Sequence, residues 1–359
     1  LTALDATPAR IPVVIGGCGT GRTTLLHALA DRMGRDQCQY IDVERAASTP
    51  ERFHHAVAAA SPFRMNGQSP AEQGPAASAR AAFDRTLTLM SRARTANDAP
   101  ATFLLDEVLE LRTFESFPGL RHVLREVLHE MSESGNRFVL TTRYVARAHR
   151  LLRDGDGRFE VIHLPQLNAS EVTAMLPAMG HSPEDREYLG RTIQALSDGR
   201  AAYVHALAEA TESGDPISAL TALLTGEGAL ASWCAHRYEL RLHKARGYGA
   251  LKAILEILAD EEPLTLTEVA QRLHRTPGST KDYLSWLEDV DLIISRQKRY
   301  SFADPLTRLW VRLHCRPVPP SVDEVAREVQ AYAMARLPHM EPALEMAGAT
   351  AESGLIEID

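Results

Sequence analysis

The sequence has few cysteines, no long apolar run and no excess of positive charge. Its 359 residues include four cysteines, and no two of them form a CxxC pair. This pattern predicts neither a disulfide framework nor a zinc site, and it favours a reducing, cytoplasmic compartment. No stretch approaches the roughly 18 uninterrupted apolar residues of a membrane span. The first residues also lack a basic segment followed by an apolar one, so no secretory signal is predicted.

The formal charge excludes one broad class of function. Lys and Arg number 39 and Asp and Glu number 47, which gives a net charge of −8. A chain of this charge is not a general binder of polyanions, so any contact with nucleic acid must come from a local basic patch. With 45% hydrophobic and 24% charged residues, the composition is that of a globular protein. The length predicts two or three domains.

Short β-rich runs alternate with amphipathic segments through the first 170 residues. Such alternation is typical of crossover units and predicts a parallel sheet flanked by helices. Two of the amphipathic segments are Thr23–Met33 and Leu120–Met131. A Gly-, Pro- and Ser-rich stretch at residues 61–77 predicts a surface loop. The runs expected to be strands are Ile11–Ile15, Gln39–Val43, Thr102–Leu105, Phe138–Thr142 and Phe159–Leu164.

The pattern changes after about residue 168. Residues 170–246 are almost entirely helical in pattern, and three further helical segments are then followed by two short β-like runs, which predicts a winged helix-turn-helix. We expect an α/β core over 1–167, a helical region over 168–246, a winged helix over 247–316, and a C-terminal helix and tail over 317–359. The predicted elements of the winged helix are Leu251–Leu258, Leu266–Leu273, Ser279–Leu287, Leu292–Ser295 and Arg299–Phe302. Its predicted core residues are Tyr283, Leu284, Leu287 and Trp310.

A glycine-rich turn after the first predicted strand matches the P-loop pattern GxxxxGK[ST] with one departure. Glycines let the backbone curl so that its N–H groups point at a phosphate, and the helix N-terminus adds a positive dipole end. Thr23 is placed to ligate Mg²⁺. Arg22 stands where Lys is expected, and it keeps the charge in a wider planar group. The alternative is a plain strand-to-helix turn. The predicted phosphate-binding residues are Gly16, Gly17, Cys18, Gly19, Thr20, Gly21, Arg22, Thr23 and Thr24.

Two other predicted strands end in groups suited to nucleotide chemistry. The strand from Thr102 runs into Asp106 and Glu107, a pattern that resembles a Walker B motif. Asp106 would hold Mg²⁺, and Glu107 would act as general base toward water. The strand from Phe138 runs into Arg143, which is placed to make a charge-assisted bond to a γ-phosphate. The alternatives are a solvated acidic loop and an arginine that only extends into solvent.

Taken in this order, the motifs resemble the STAND class of signalling P-loop ATPases, relatives of AAA+ proteins that include NB-ARC switches and archaeal-type ATPases. The strand end at residues 141–143 is similar to the NB-ARC sensor motif, whose Arg contacts the γ-phosphate. Residues 161–172 are similar to the start of the family's helical lid. Residues 198–203 fall at its GxP motif, with Ala201 in place of the proline. Residues 300–310 resemble the strand that closes the winged helix in archaeal-type ATPases.

The resemblance implies an α/β fold, with a parallel-sheet P-loop NTPase core of the ASCE type followed by an all-helical lid and a winged-helix domain. It implies ATP or ADP with Mg²⁺ as ligands, and slow hydrolysis with Arg22, Glu107 and Arg143 as catalytic groups. The implied role is a nucleotide-dependent regulatory switch. Two alternatives stay open. One is a protein that binds nucleotide without hydrolysing it because of Arg22, and the other is a DNA-binding regulator with a scaffold-like ATPase half.

The predicted recognition helix and wing give a mixed signal for DNA. Four positive residues there face four negative ones, and affinity for a duplex grows with the number of phosphates neutralised. A face of zero net charge favours packing on the ATPase core, on a protein partner or on a second copy. The basic wing keeps DNA as an alternative. The residues that would contact DNA are Lys281, Arg296, Lys298 and Arg299.

Overall fold

The protein is described from a computed structural model. The structure describes residues 2–4, 6, 9–65, 74, 76–153, 157–176, 183–211, 215–245 and 247–337. Among the helices in these ranges, none is both long and apolar enough to cross a lipid bilayer. The predicted loop at residues 61–77 falls partly outside the described residues. Residues 61–65 contain no helix, and they follow a helix that ends at Ala59.

A five-stranded parallel sheet forms the core of the N-terminal half, in the order β2-β3-β4-β1-β5. All five predicted strands are confirmed, with differences of one residue at their ends. Every residue of β1 and β3 is buried, because helices cover both faces of a parallel sheet. This burial explains why these strands are continuous apolar runs. The strands are β1 Ile11–Ile15, β2 Cys38–Asp42, β3 Thr102–Asp106, β4 Arg137–Thr142 and β5 Phe159–His163.

Helices pack on both sides of this sheet. The helix Pro50–Ala59 starts with proline at its first position and Thr49 as its N-cap. The Thr49 hydroxyl accepts a hydrogen bond from the Arg52 N–H. A 3-10 helix at Val108–Ser116 was not predicted; Val108, Leu111 and Phe114 are buried at intervals of three residues, the period of a 3-10 helix. The α-helices are α1 Arg22–Met33, α2 Val43–Ala46, α3 Pro50–Ala59, α4 Ala79–Arg92, α5 Val123–Glu133 and α6 Val145–Leu152.

The C-terminal half contains helices and one small antiparallel sheet in the order β6-β8-β7. Leu284, Leu287 and Trp310 are buried as predicted, and Tyr283 packs against the same cluster. The helices that follow β5 are α7 Ala169–Met175, α8 Pro183–Ser197, α9 Ala201–Ala210, α10 Pro216–Leu224 and α11 Ala229–Lys244. The winged helix and its extension are α12 Tyr248–Asp260, β6 Leu264–Thr265, α13 Leu266–Arg272, α14 Pro277–Asp289, β7 Ile293–Arg296, β8 Arg299–Phe302, α15 Pro305–His314 and α16 Val322–Arg336.

The expectation of a closing strand over residues 300–310 is wrong for its second half. Only residues up to Phe302 are strand, and α15 starts at Pro305. The Asp304 carboxylate caps this helix by accepting hydrogen bonds from the N–H groups of Leu306 and Thr307 at 3.0 and 3.4 Å. A capping Asp followed by Pro is a strong helix start. The buried side chains then recur at helical spacing, as Leu306, Leu309, Trp310 and Leu313.

The apolar cores link segments that are distant in sequence. Tyr238 and Leu242 of α11 share a buried cluster with residues of the winged helix. A second cluster joins α7–α10 to α15 and α16, and it includes Val172, Leu306 and Val329. The helical region and the winged helix therefore pack as neighbours. The four-part division of the chain stays a prediction.

Candidate functional site

The glycine-rich turn connects β1 to α1 at the carboxyl end of the sheet. Gly19 and Gly21 have φ values of 78° and 94°, in the left-handed region that glycine adopts without steric cost. Gly21 is the N-cap of α1, and no described side chain caps that end. The first N–H groups of α1 therefore keep their capacity to bind an anion.

Thr23 and Asp106 lie together at this end of the sheet. Thr23 Oγ1 donates a hydrogen bond of 2.6 Å to Asp106 Oδ2. The Tyr40 hydroxyl donates to the same oxygen at 3.1 Å, and the Thr141 hydroxyl donates to Oδ1. Hydroxyl and carboxylate oxygens suit Mg²⁺, which usually takes one or two protein ligands and completes its shell with water and phosphate. Within the described ranges, no group of three or more His, Cys, Asp or Glu side chains is arranged to hold a metal by itself.

Arg22 turns back into the loop that it belongs to. Its Nη2 lies 2.5 Å from Glu107 Oε1, and its Nη1 donates to the carbonyl oxygens of Gly16 and Gly17. Only 8% of the residue is exposed. The arginine fork reaches these three acceptors from two nitrogens, whereas a lysine would have to reach them from one. The departure from the P-loop pattern therefore places a cation on the carboxylate predicted to be the general base.

Glu107 sits between two guanidinium groups. Its φ of 56° places the residue in the left-handed region, and its Oε2 accepts from the backbone N–H of Arg143 at 3.0 Å. The Arg143 Nε lies 3.2 Å from the same oxygen. Burial disfavours the charged form, but Arg22 and Arg143 outweigh it and lower the pKa of Glu107. Glu107 is thus held ionised, as a general base requires.

Arg143 is occupied by carboxylates of the protein. Besides Glu107, it contacts Glu44 and lies 3.8 Å from Glu110 Oε1. Burial disfavours its charge, but Glu107 and Glu44 are among the groups that raise the pKa of Arg143. Lys244, at the end of α11, bonds the same two acids, at 3.1 Å from Glu44 and 2.8 Å from Glu110. The predicted sensor is therefore linked to α11 through two shared carboxylates.

Three arginines that the sequence analysis did not single out also reach the turn. Arg200 donates to the Cys18 carbonyl oxygen at 3.1 Å. Arg241 lies 2.5 Å from Cys18 Sγ. Arg237 lies near Gly19, because its Nη1 is 3.7 Å from the position that a Cβ atom would occupy on that glycine. Arg237 and Arg241 are four residues apart on α11, a spacing that puts both on one helix face and was the available signal.

The arginines around the turn carry more donors than the protein satisfies. The Nε atoms of Arg22, Arg200 and Arg241 are buried, and none has a hydrogen-bond acceptor among the described residues. Fully buried arginines are rare unless they are paired. Surplus donors beside an uncapped helix N-terminus are the chemistry expected of a phosphate site, so the residues present fit a nucleotide with Mg²⁺.

The winged helix contacts the turn through the same side chains. Arg200 also donates to the Ala303 carbonyl oxygen at 2.5 Å, and its Nε lies 3.8 Å from Asp304. Arg241 donates to the carbonyl oxygen of Asp291 at 2.7 Å. Asp291 has a φ of 56°, in the left-handed region that is uncommon for residues other than glycine. Two buried arginines therefore bridge Cys18 of the turn and the β-sheet end of the winged helix.

An open cleft of about 470 Å³ lies beside the turn. Its volume is within the usual range for small-molecule sites. Residues 19–24 form one wall, and the start of the helical lid forms the other. Ala201, at the position of the predicted GxP proline, is part of that wall. The lid residues in the lining are Met175, Ala201, Ala202 and His205.

The predicted DNA face is divided between solvent and the ATPase core. Lys281 in the first half of α14 is exposed, as are Arg296 and Lys298 in the wing. The end of α14 is held by the core, because Asp289 contacts Arg150 and lies 3.4 Å from Arg147 of α6. Of the four predicted DNA contacts, Arg299 is the one that pairs with an acid among the described residues, Glu268, at 3.6 Å.

Comparisons with known proteins agree with this architecture. The family model described as winged helix-turn-helix DNA-binding matches residues 250–294. A Walker-type ATPase of Pyrococcus abyssi is similar in structure, with a TM-score of 0.63 and 17% identity over 84% of this chain and 91% of that one. No curated protein sequence matches the chain.

Two more distant structures are also similar. A Thermotoga maritima RuvB variant has a TM-score of 0.40 and 12% identity, covering 84% of this chain and 88% of its own. The Aeropyrum pernix Orc1 protein in complex with DNA has a TM-score of 0.35 and 18% identity, covering 93% and 90%. Both similarities are too weak to bear on the fold. The parallel sheet, the P-loop turn and the likeness to the Walker-type ATPase together show that this chain has the fold of a P-loop ATPase with a C-terminal winged helix.

Proposed function

We propose that the protein binds ATP and ADP with Mg²⁺ at the P-loop and acts as a slowly hydrolysing regulatory switch of the STAND and AAA+ type. Thr23 and Asp106 would hold the metal, which supplies charge neutralisation at the phosphates. Glu107 would accept a proton from water, and the N–H groups of the turn would bind phosphate. Arg22 and Arg143 supply positive charge, but both are paired with Glu107 in the structure.

The observation that carries the proposal is the pair of arginine bridges. Arg200 and Arg241 contact Cys18 at one end and the winged helix at the other. A phosphate bound in the turn would compete for these buried cations, since charge-assisted bonds to phosphate are stronger than those to a neutral carbonyl. The winged helix would then lose two of the side chains that hold it on the core. Nucleotide occupancy and winged-helix docking are coupled by these two side chains.

The test compares hydrogen exchange with ATP, with ADP and without nucleotide. We expect isothermal titration to show binding of both nucleotides, and we expect ATP to increase amide exchange over residues 291–304 relative to ADP. Thr23→Ala should weaken the Mg²⁺-dependent binding and remove the difference. Thr221→Ala, a matched change within the lid helix α10, should leave both unchanged. Binding without any change at residues 291–304 would show that the site is not coupled to the winged helix.

Arg22→Lys tests the departure in the P-loop. Lysine carries the same charge on one nitrogen in place of the two that hold Arg22 to Gly16, Gly17 and Glu107, so we expect it to follow the phosphates more freely as charge develops. We expect faster hydrolysis, measured by phosphate release, with ATP affinity nearly unchanged. A fall in both rate and affinity would instead show that the pocket depends on the arginine contacts.

DNA binding through the winged helix is the second candidate function. Its support is the exposure of Lys281, Arg296 and Lys298, together with the match to a winged helix-turn-helix DNA-binding family. Each lost phosphate contact should reduce the dependence of affinity on salt by about one unit of slope. Fluorescence anisotropy over a salt series should therefore show a smaller slope for Lys298→Gln than for the parent. An unchanged slope would assign the wing to another role. Lys252→Gln, on α12, is the control.

A further inference from the structure

A second cavity lies where the ATPase core meets the winged helix. It has a volume of about 200 Å³ and is bounded by the 3-10 helix, the start of α6, the end of α11 and the residue that follows α14. Its charged lining is mainly positive, with Arg112, Arg147 and Lys244 against the single carboxylate of Glu110. The nucleotide cleft shares none of these residues.

The two arginines of this cavity are poorly satisfied by the protein. Arg147 has 18% of its side chain exposed, and its one ion pair among the described residues is to Asp289 of α14, at 3.4 Å. Arg112 lies 3.4 Å from Glu115, its neighbour along the same helix. Each guanidinium has five N–H donors. Most of these donors therefore have no acceptor in the part of the chain that the structure describes.

The positive charges around the cavity lie close enough to affect one another's pKa. Burial and the nearby Arg112 and Arg150 guanidinium groups lower the pKa of Arg147 to about 10. Like charges produce such a shift when they are not offset by acids. The ring of Tyr144 lies against Arg147, with 5.7 Å between the guanidinium carbon and the ring centroid, and so fixes its position. The residues that line the cavity carry three cations and one carboxylate, and Glu115, Asp289 and Glu44 pair with these cations from outside the lining.

We propose that this cavity binds a small phosphate-bearing anion, of one or two phosphate groups. Arginine forks match the geometry of phosphate oxygens, and two of them converge on one recess with a lysine. The volume is below the usual range for larger ligands, which favours a small anion over a whole nucleotide. The proposal does not depend on nucleotide binding at the P-loop.

Such a ligand would act on the winged helix. Arg147 pairs with Asp289 at the end of α14, so an anion that takes Arg147 competes with this carboxylate. Lys244 pairs with Glu44 and Glu110 at 3.1 and 2.8 Å, so an anion in the cavity would also compete with these two carboxylates. Binding would weaken the contact between α14 and α6.

Pyrophosphate without Mg²⁺ is the probe, titrated calorimetrically into the full chain. Arg112→Gln and Arg147→Gln should each raise the dissociation constant of one binding event by at least about tenfold, the effect of losing a charge-assisted hydrogen bond. Arg121→Gln, an exposed cation elsewhere on the core, should leave it unchanged. Arg112 is about half exposed, so its variant should fold even if Arg147→Gln does not.

Asp289→Asn gives a test of opposite sign. Removing the competing carboxylate should tighten pyrophosphate binding several-fold. The proposal is overturned if the parent chain binds no pyrophosphate, if both cavity variants bind it as the parent does, or if Asp289→Asn weakens it. If pyrophosphate bound only at the P-loop, both cavity variants would bind it as the parent does. Failure of ATP to bind would instead contradict the proposed function and leave this result unaffected.

Discussion

Glu107→Gln should lower ATP turnover by about 10²-fold or more, the scale of general-base catalysis. Glutamine keeps the shape of the side chain but cannot accept the proton. It also removes the charge that holds Arg22 at 2.5 Å. Arg22 then becomes available to phosphate, so we expect ATP affinity to rise while turnover falls. Phosphate release under saturating ATP and calorimetric titration measure the two effects separately.

Glu110→Gln is the matched control for this variant. Glu110 is another buried acid near Arg143, and it accepts a 2.6 Å hydrogen bond from the Tyr144 hydroxyl. It does not contact Arg22. Its loss should change turnover only a few-fold. Equal losses in the two variants would indicate a general effect of removing negative charge, and parent-like turnover in Glu107→Gln would remove Glu107 from the chemistry.

Asp304→Ala should destabilise the protein by about 4 kcal/mol, the cost of removing one partner from a buried ion pair. Asp304 lies beside Arg200, accepts a 2.6 Å hydrogen bond from the Tyr203 hydroxyl and caps α15. All three contacts are lost together. The free energy of unfolding, measured by urea denaturation at neutral pH, checks the size of the effect.

Asp304→Asn separates charge from capping, because the amide oxygen can still accept from the N-terminus of α15 and its NH2 group can donate to the Tyr203 hydroxyl oxygen. Its loss of stability should be less than half that of the alanine variant. Burial opposes ionisation of Asp304, but Arg200, Tyr203 and Arg237 outweigh it and lower its pKa. The charge therefore stabilises the parent above the unfolded pKa of about 3.9, and this contribution is lost as pH falls through the lower folded pKa. The difference between parent and Asp304→Asn should shrink in that acid range; a constant difference would contradict the assignment.

Sequence patterns identified the parts of the site that lie next to each other along the chain. The turn before Thr23 and the acids after β3 both follow apolar strands, and a parallel sheet brings the ends of its strands to one edge. Local spacing was therefore enough to predict that Thr23 and Asp106 would meet. It also placed Lys281 and Lys298 on the exposed part of the winged helix.

The missing parts depend on packing between distant segments. Arg200 and Arg241 reach Cys18 only because α11 and the lid fold back over the turn, and no local period encodes that approach. The same holds for Arg22, whose pairing with Glu107 joins residues 85 positions apart. The helix at Pro305 was a different kind of error. There the local sequence does encode the helix start, in Asp304 and Pro305, and the resemblance to a family strand does not take it into account.

The shared core of the helical lid has a consequence for synthesis. Val172, in the first lid helix, is buried with Val329 of α16, so this core cannot close until the C-terminal helix has left the ribosome. At about 5–20 residues per second, the wait is on the order of 10 s. During that time α7–α10 present apolar faces to the cell, while the parallel sheet can already form. A chain shortened before α16 would keep those faces exposed, and its expected fate is aggregation or capture by chaperones.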